Sequence, residues 1–186
     1  ICEKPFVETH GNNYNIVREL FDIAEKRKKI LTINTQWISI VDYFRRHIDL
    51  NKLTNLSMYM EPAERGIDML NDFLPHSNSV LIEMIPNGKA ENIEFLSRGD
   101  EDMSIKFKYK NSEGECEIRY DFKLRAKKPG EIIFSLNGES FKREIGPAYK
   151  QTFVGYERSF EIEDPLKVSI KRFLGAVGGF NAPLAN

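Results

Sequence analysis

The chain has 186 residues, of which 41% are hydrophobic and 30% charged, and its net charge is −1. That length and balance fit one soluble globular domain, or one domain with a piece of a second. They give no electrostatic case for nucleic acid or anionic lipid as a partner. No apolar run of about 18 residues is present to span a membrane, and no charged-then-apolar leader is visible, so a reducing, cytoplasmic setting is expected. Cys2 and Cys116 make neither a disulfide framework nor a metal cluster and read as buried thiols in strands. The basic runs at residues 26–29 and 125–128 read as solvated helix-end and turn charges.

The chain opens Ile1-Cys2-Glu3-Lys4-Pro5 without an initiator Met. Residues 6–29 read as an amphipathic helix, with Ile16, Val17, Leu20, Phe21, Ile23 and Ala24 on one stripe. Pro5 suits its start, because the first turn has no use for the missing N–H. Residues 30–34 then read as a short buried strand. A strand following a helix with almost no loop is α/β behaviour, so residues 1–36 are expected to be the last part of a nucleotide-binding α/β domain whose front is absent. A helix and one strand make no stable sheet alone, so this piece should dock, pair or be poorly ordered. Residues 37–186 are expected to form a second domain. Within it, residues 38–48 read as a short helix, 53–60 as a strand, and 64–84 as a long helical stretch interrupted by Pro75.

From residue 91 the apolar period switches to two. Ile105, Phe107 and Tyr109 alternate with lysines, and Cys116, Ile118, Tyr120, Phe122 and Leu124 alternate with charged residues, so each strand has one apolar and one wet face. Asn87-Gly88, residues 111–114, Pro129-Gly130 and Asn137-Gly138 are turns, the last a two-residue hairpin signal. An antiparallel meander of four or more strands follows. Pro165 opens a final helix, whose expected buried stripe is Leu166, Ile170, Phe173, Leu174 and Val177, and Gly178-Gly179 ends it.

Three titratable residues could carry chemistry. Asp72 and His76 are spaced i,i+4 on a predicted helix, so they share a face. The carboxylate can fix the tautomer and raise the basicity of the imidazole. Lys4, at a predicted strand-to-helix junction, could stabilise a developing alkoxide. Together these groups suit proton removal from a secondary alcohol. The plain alternative for Asp72 and His76 is a local helix pair, and for Lys4 a solvated side chain. His10 and His47 have polar surroundings and read as surface residues, while Trp37 and Phe44 read as core. A zinc hydrolase built on His10, His47 and His76 is excluded by their spacing.

Taken in order, Glu3-Lys4-Pro5, a helix, a strand ending in Asn34, Asp72-x-x-x-His76, an antiparallel sheet, and Asp164-Pro165-Leu166 before Phe173-Leu174 resemble the glucose–fructose oxidoreductase / inositol dehydrogenase / MocA family. The resemblance covers residues 1 to about 180. It implies an α/β (α+β) fold: a helix–strand remnant of a Rossmann domain, then an open, mainly antiparallel sheet packed with helices, like the C-terminal domain of glyceraldehyde-3-phosphate dehydrogenase. It implies NAD or NADP as the cofactor of the intact protein and a sugar, cyclitol or related polyol as substrate. It also implies that copies associate through the sheet face. Lys4 would contact substrate and the nicotinamide region, His76 would be the acid/base and Asp72 its partner. Glu3, Lys4, Pro5, Asn34 and Gln36 would line the cofactor, and no metal is implied.

The chain departs from the family pattern in places. The glycine-rich approach to the aspartate is reduced to Gly66, Ser79 stands where an acidic residue is common, and Gln36-Trp37 replaces an arginine. Pro75, directly before His76, should distort or end a helical turn. No Gly-x-Gly-x-x-Gly follows a strand, so this chain itself is expected to hold no dinucleotide. The rival reading is a non-enzymatic oligomerisation or interaction module using the sheet face of Cys116, Ile118, Tyr120, Phe122 and Leu124 as its platform.

Overall fold

The computed structural model describes residues 13–31 and 35–178. Cys2, Glu3, Lys4, Pro5, His10 and Asn34 lie outside the described residues, as does the expected helix start. The chain divides into two units, residues 1–34 with 169–186, and residues 35–168.

In the first unit, helix α1 spans Asn13–Lys26. Val17, Leu20 and Ala24 of the expected stripe are half-buried, whereas Ile16, Phe21 and Ile23 are exposed. The helix is closed by Lys28 in the left-handed region (φ 51°) and by the Lys29 N–H bonding the Ala24 carbonyl at 2.8 Å. Ile30 and Leu31, the described residues of the expected strand 30–34, carry no strand pairing.

The second unit holds the core. A 3-10 turn at Gln36–Ser39 runs into helix α2, Ile40–His47. Strand β1, Asn55–Met60, leads to helix α3, Gly66–Met84. Then come β2 (Lys89–Ser97), β3 (Asp102–Lys110), β4 (Glu115–Lys123), β5 (Ile132–Leu136), β6 (Glu139–Ile145), β7 (Gln151–Val154) and β8 (Ser159–Ile162). Helix α4, Pro165–Val177, starts at the end of this unit, and from Ser169 onward its residues belong to the first. The strands form one eight-stranded sheet in the order β2-β3-β4-β1-β5-β6-β7-β8. Every neighbouring pair is antiparallel except β1 with β4. The meander is therefore split by the first strand, which a parallel pairing reached through a long crossover makes possible.

The period-two pattern sorts the faces. Leu56, Met58 and Met60 of β1 stand beside Ile118, Tyr120 and Phe122 of β4 and opposite Leu136, Phe134 and Ile132 of β5, all buried. α2 and α3 cover this side. The residues expected as a docking platform, Cys116, Ile118, Tyr120 and Phe122, are thus core residues, with Leu124 packed against them. The other face is polar, and Lys106↔Arg119, Lys108↔Glu117 and Lys110↔Glu115 are among its cross-strand neighbours.

At the hairpin between β5 and β6, Asn137 (φ 50°) and Gly138 (φ 87°) both take the left-handed conformation that a two-residue turn demands. The Asn137 amide also binds the approach to β1. Its oxygen accepts from the Thr54 N–H (2.9 Å) and Asn55 N–H (3.2 Å), and its nitrogen donates to the Lys52 carbonyl at 2.9 Å. The edge strand β2 is exposed along its whole length, with a bulge between Glu91 and Glu94 and Asn92 at φ 53°.

One expectation fails here. The apolar residues of α4 are on the predicted stripe, yet Leu166, Ile170, Phe173, Leu174 and Val177 are 41–61% exposed, and only Pro165 is buried. Periodicity identifies residues that share a face, but it does not supply a surface to cover them.

Phe44 of α2 anchors the helix layer, with ring centroids 5.3 Å from Phe141, 5.6 Å from Phe160 and 5.8 Å from Phe134. Phe44→Ala is expected to lower the unfolding free energy by about 3–5 kcal/mol, measured by urea denaturation. Burial, aided by Glu117, pushes the Cys116 thiol up to about 12. In a Cys2→Ser background a thiol reagent in mildly alkaline buffer should therefore leave Cys116 unmodified until the protein is unfolded.

Candidate functional site

α3 begins at Gly66, whose φ of 60° suits glycine and whose N–H bonds the Asp100 carbonyl at 2.8 Å. An Arg65–Glu101 ion pair holds the same corner, and Asp68 sits in the first turn, where the helix dipole favours a carboxylate. From there Met69, His76, Ser77, Val80, Leu81 and Met84 face the sheet.

The helix runs unbroken through Pro75, contrary to the expected interruption. Proline in a helix interior costs about 3 kcal/mol. Buried Met69 before it and buried Ser77, Val80 and Leu81 after it hold both halves on the sheet, so packing outweighs that local cost. Pro75 itself points to solvent.

His76 is 8% exposed and Asp72 is half-buried, one turn earlier on the same helix. The His76 ring meets Phe73 edge-on, with centroids 6.1 Å apart and an interplanar angle of 78°. The neighbouring Ser77 hydroxyl donates to the Phe73 carbonyl (3.3 Å) and lies 3.8 Å from the Met60 sulfur. This turn of α3 therefore lies over the C-terminal end of β1.

A row of side chains crosses the helix-covered side of the sheet at that level. Met60 is opposite Ile132. The Ile133↔Lys142 pairing sets Arg143 opposite Ile132, and Arg143 is opposite Phe153. Trp37 closes over the row: its ring is 6.3 Å from Phe153, edge-on, and the Arg143 guanidinium lies 5.3 Å above it. Arg143 Nη2 donates to the Gly130 carbonyl at 2.5 Å. The 3-10 turn that carries Trp37, and opens with Gln36, packs on α3.

The structure thus brings Asp72, His76, Trp37 and Arg143 to one end of the sheet, on one face. Glu3, Lys4, Pro5 and Asn34 lie outside the described residues. His47 is exposed, its ring stacked 6.1 Å from Phe160. Arg143 was not singled out from the sequence, yet a signal exists. It falls between Phe141 and Ile145 on the apolar parity of its strand, where a charged residue is out of place. Burial pulls its pKa down, and no carboxylate among the described residues offsets that.

Two other polar regions lack this convergence. On the open face, Asp121 accepts from Ser104 (2.7 Å) and takes Arg119 in a two-bond fork (2.6 and 2.9 Å). The Tyr59 hydroxyl donates to Glu61 at 2.9 Å, and burial and that bond raise its pKa. A cavity of about 620 Å³ lies at the far end of α3, lined by Met84, Ile85, Tyr109, Cys116 and the 3-10 turn Leu50–Lys52, and none of the predicted site residues reaches it. Among the described residues no three His, Cys, Asp or Glu side chains are grouped to hold a metal, and no helix is long and apolar enough to cross a membrane.

No family model and no curated protein matches the sequence. Solved structures match the fold. The UDP-N-acetylglucosamine 3-dehydrogenase GnnA from Acidithiobacillus ferrooxidans aligns with 97% of this chain and 62% of its own, at TM-score 0.66 and 12% identity. An oxidoreductase from Sinorhizobium meliloti aligns with 91% of this chain and 60% of its own, at 0.59 and 7%. An oxidoreductase from Thermotoga maritima aligns with 90% and 58%, at 0.57 and 11%. The chain spans about three fifths of the length of these structures. It shares their fold, here a mixed α/β chain with a mostly antiparallel sheet.

Because α3 tolerates Pro75 only through its packing, Pro75→Ala should stabilise the chain by about 1–3 kcal/mol, after allowing for the looser unfolded state. Thermal unfolding at fixed pH reads this directly, and an unchanged midpoint would mean the helix carries no cost there.

Proposed function

We propose that this chain is the substrate-binding part of an oxidoreductase that uses NAD or NADP and acts on a sugar, cyclitol or related polyol. The observation that carries the reading is the buried His76 one turn after the half-buried Asp72 on α3. It sits at the sheet end where Trp37 and Arg143 also converge, in a fold shared with dehydrogenases. His76 takes the proton of a secondary hydroxyl during oxidation and returns it during reduction. Asp72 orients the imidazole and stabilises its charged form. Lys4 stabilises the oxygen that bears the developing charge.

The described residues do not fit a dinucleotide. Among the described residues two strands lead into longer helices: β1 into α3, with its Gly66 N–H tied to the Asp100 carbonyl and an acidic Asp68 in the first turn, and β8 into α4, with Pro165 at its start and the Leu166 N–H tied to the Asp164 carboxylate at 2.9 Å. A phosphate would meet a filled donor and a like charge there. In this reading the cofactor is held by other residues of the intact protein.

An interaction module built on the apolar sheet face has less support, because that face is filled by α2 and α3 of the same chain. Association between copies, which we retain as a proposal, would use the open polar face. In the intact protein, His76→Ala should reduce polyol-dependent reduction of NAD or NADP by about 10²- to 10⁴-fold. A rate equal to the unsubstituted protein would remove His76 from the chemistry.

A further inference from the structure

Arg143 is a half-buried cation with no carboxylate paired to it among the described residues. Arg45, by contrast, pairs with Glu83, Arg65 with Glu101, Arg98 with Asp102, Arg119 with Asp121, and Arg158 with Glu139. Arg143 instead has one carbonyl, that of Gly130, and the face of Trp37. A guanidinium carries five N–H donors in a planar fork, and the bond to Gly130 uses one nitrogen. The carboxylates of this corner are engaged elsewhere. Glu61 accepts from the Tyr59 hydroxyl and the Glu131 N–H, and Glu131 pairs with Lys142. Gly130 packs so closely on the Glu61 backbone that an added Cβ would collide with it, and the stem of Arg125 lies against Gly130 too.

The position matters as much as the charge. Arg143 is two strands from Met60, about 10 Å by ordinary strand spacing, and Met60 is the residue that Ser77, next to His76, touches. A molecule whose hydroxyl meets His76 and that runs along the sheet end would bring a pendant group toward the guanidinium.

We propose that Arg143 is a specificity residue of this site and binds an oxyanion, carboxylate or phosphate, carried by the sugar or polyol substrate. The proposal rests on the reading of the site given above and narrows its substrate class to anionic sugars. A planar fork suits either group through two parallel hydrogen bonds, and Trp37 holds the guanidinium flat for it.

Trp37 is the single tryptophan of the chain, so its fluorescence reports on arrivals at Arg143. The test is a titration of the 186-residue chain at constant ionic strength with glucuronate, glucose 6-phosphate and neutral glucose. We expect a saturable change in Trp37 emission with one or both anionic sugars and none with glucose at equal concentration, and the active arm identifies which oxyanion is taken. Arg143→Gln should weaken the response at least about tenfold. Arg143→Lys, which keeps the charge and loses the fork, should fall between. Lys106→Gln, on the open face of the sheet, should leave it intact, and because the readout is binding rather than turnover this test is separate from that of the catalytic reading. The proposal is overturned if neither anion gives a saturable response, if glucose matches them, or if Arg143→Gln binds like the parent. Should Arg143→Gln fail to fold, the anion-to-glucose comparison and the Lys variant decide.

Discussion

The structure turns on the placement of β1 in the middle of the sheet. A central strand must satisfy hydrogen bonds on both sides, here parallel to β4 and antiparallel to β5, and it must be apolar on the covered face. Met58, wholly buried between Tyr120 and Phe134, shows how completely that demand is met. Because β1 runs parallel to β4, the chain has to leave at one end and return before β4 can be laid down. α3 is the first part of that crossover, and its packing on the sheet brings His76 over the end of β1. The candidate chemistry is thus a by-product of topology: the residues next to it are those that happen to stand at the same level on neighbouring strands.

The same geometry explains why the two faces of the sheet differ in kind. The covered face is filled with aromatic and sulfur-bearing side chains and has room for charge only at its rim, where Arg143 sits. The open face carries cross-strand ion pairs, exposed and individually worth little. Lys108 and Lys110, both bound to Glu115, illustrate this. They keep the surface wet and bring no reactive group together.

Much of this could be read from residue order. Period-two alternation located β3 and β4, Asn137-Gly138 gave the hairpin, and the stripe on residues 64–84 gave α3. Local chemistry dictates these features, so local sequence contains them. The insertion of β1 between β4 and β5 could not be read, because it depends on pairings between residues 55–60 and strands that follow more than fifty positions later. Pro75 was read as a break because a local rule says so; long-range packing overrode it. Asp72 and His76 were visible as a spacing, but Arg143 was not, since its significance comes from Trp37 and Gly130, neither of which is near it in the chain. The exposed stripe of α4 shows the opposite limit, a correct local pattern without a covering partner among the described residues.

The side chain of Asn137 ties the hairpin tip to the entrance of β1, a contact spanning 83 positions. A slip of one residue between β1 and β5 would turn Met58 and Phe134 toward water, and this amide holds them in step. During ribosomal synthesis the middle strand therefore emerges long before either of its flanking partners or its clamp exists. Its buried methionines lack their neighbours on both sides until residue 136 has been added, and pairing so distant in sequence slows folding and prolongs the exposure of apolar surface.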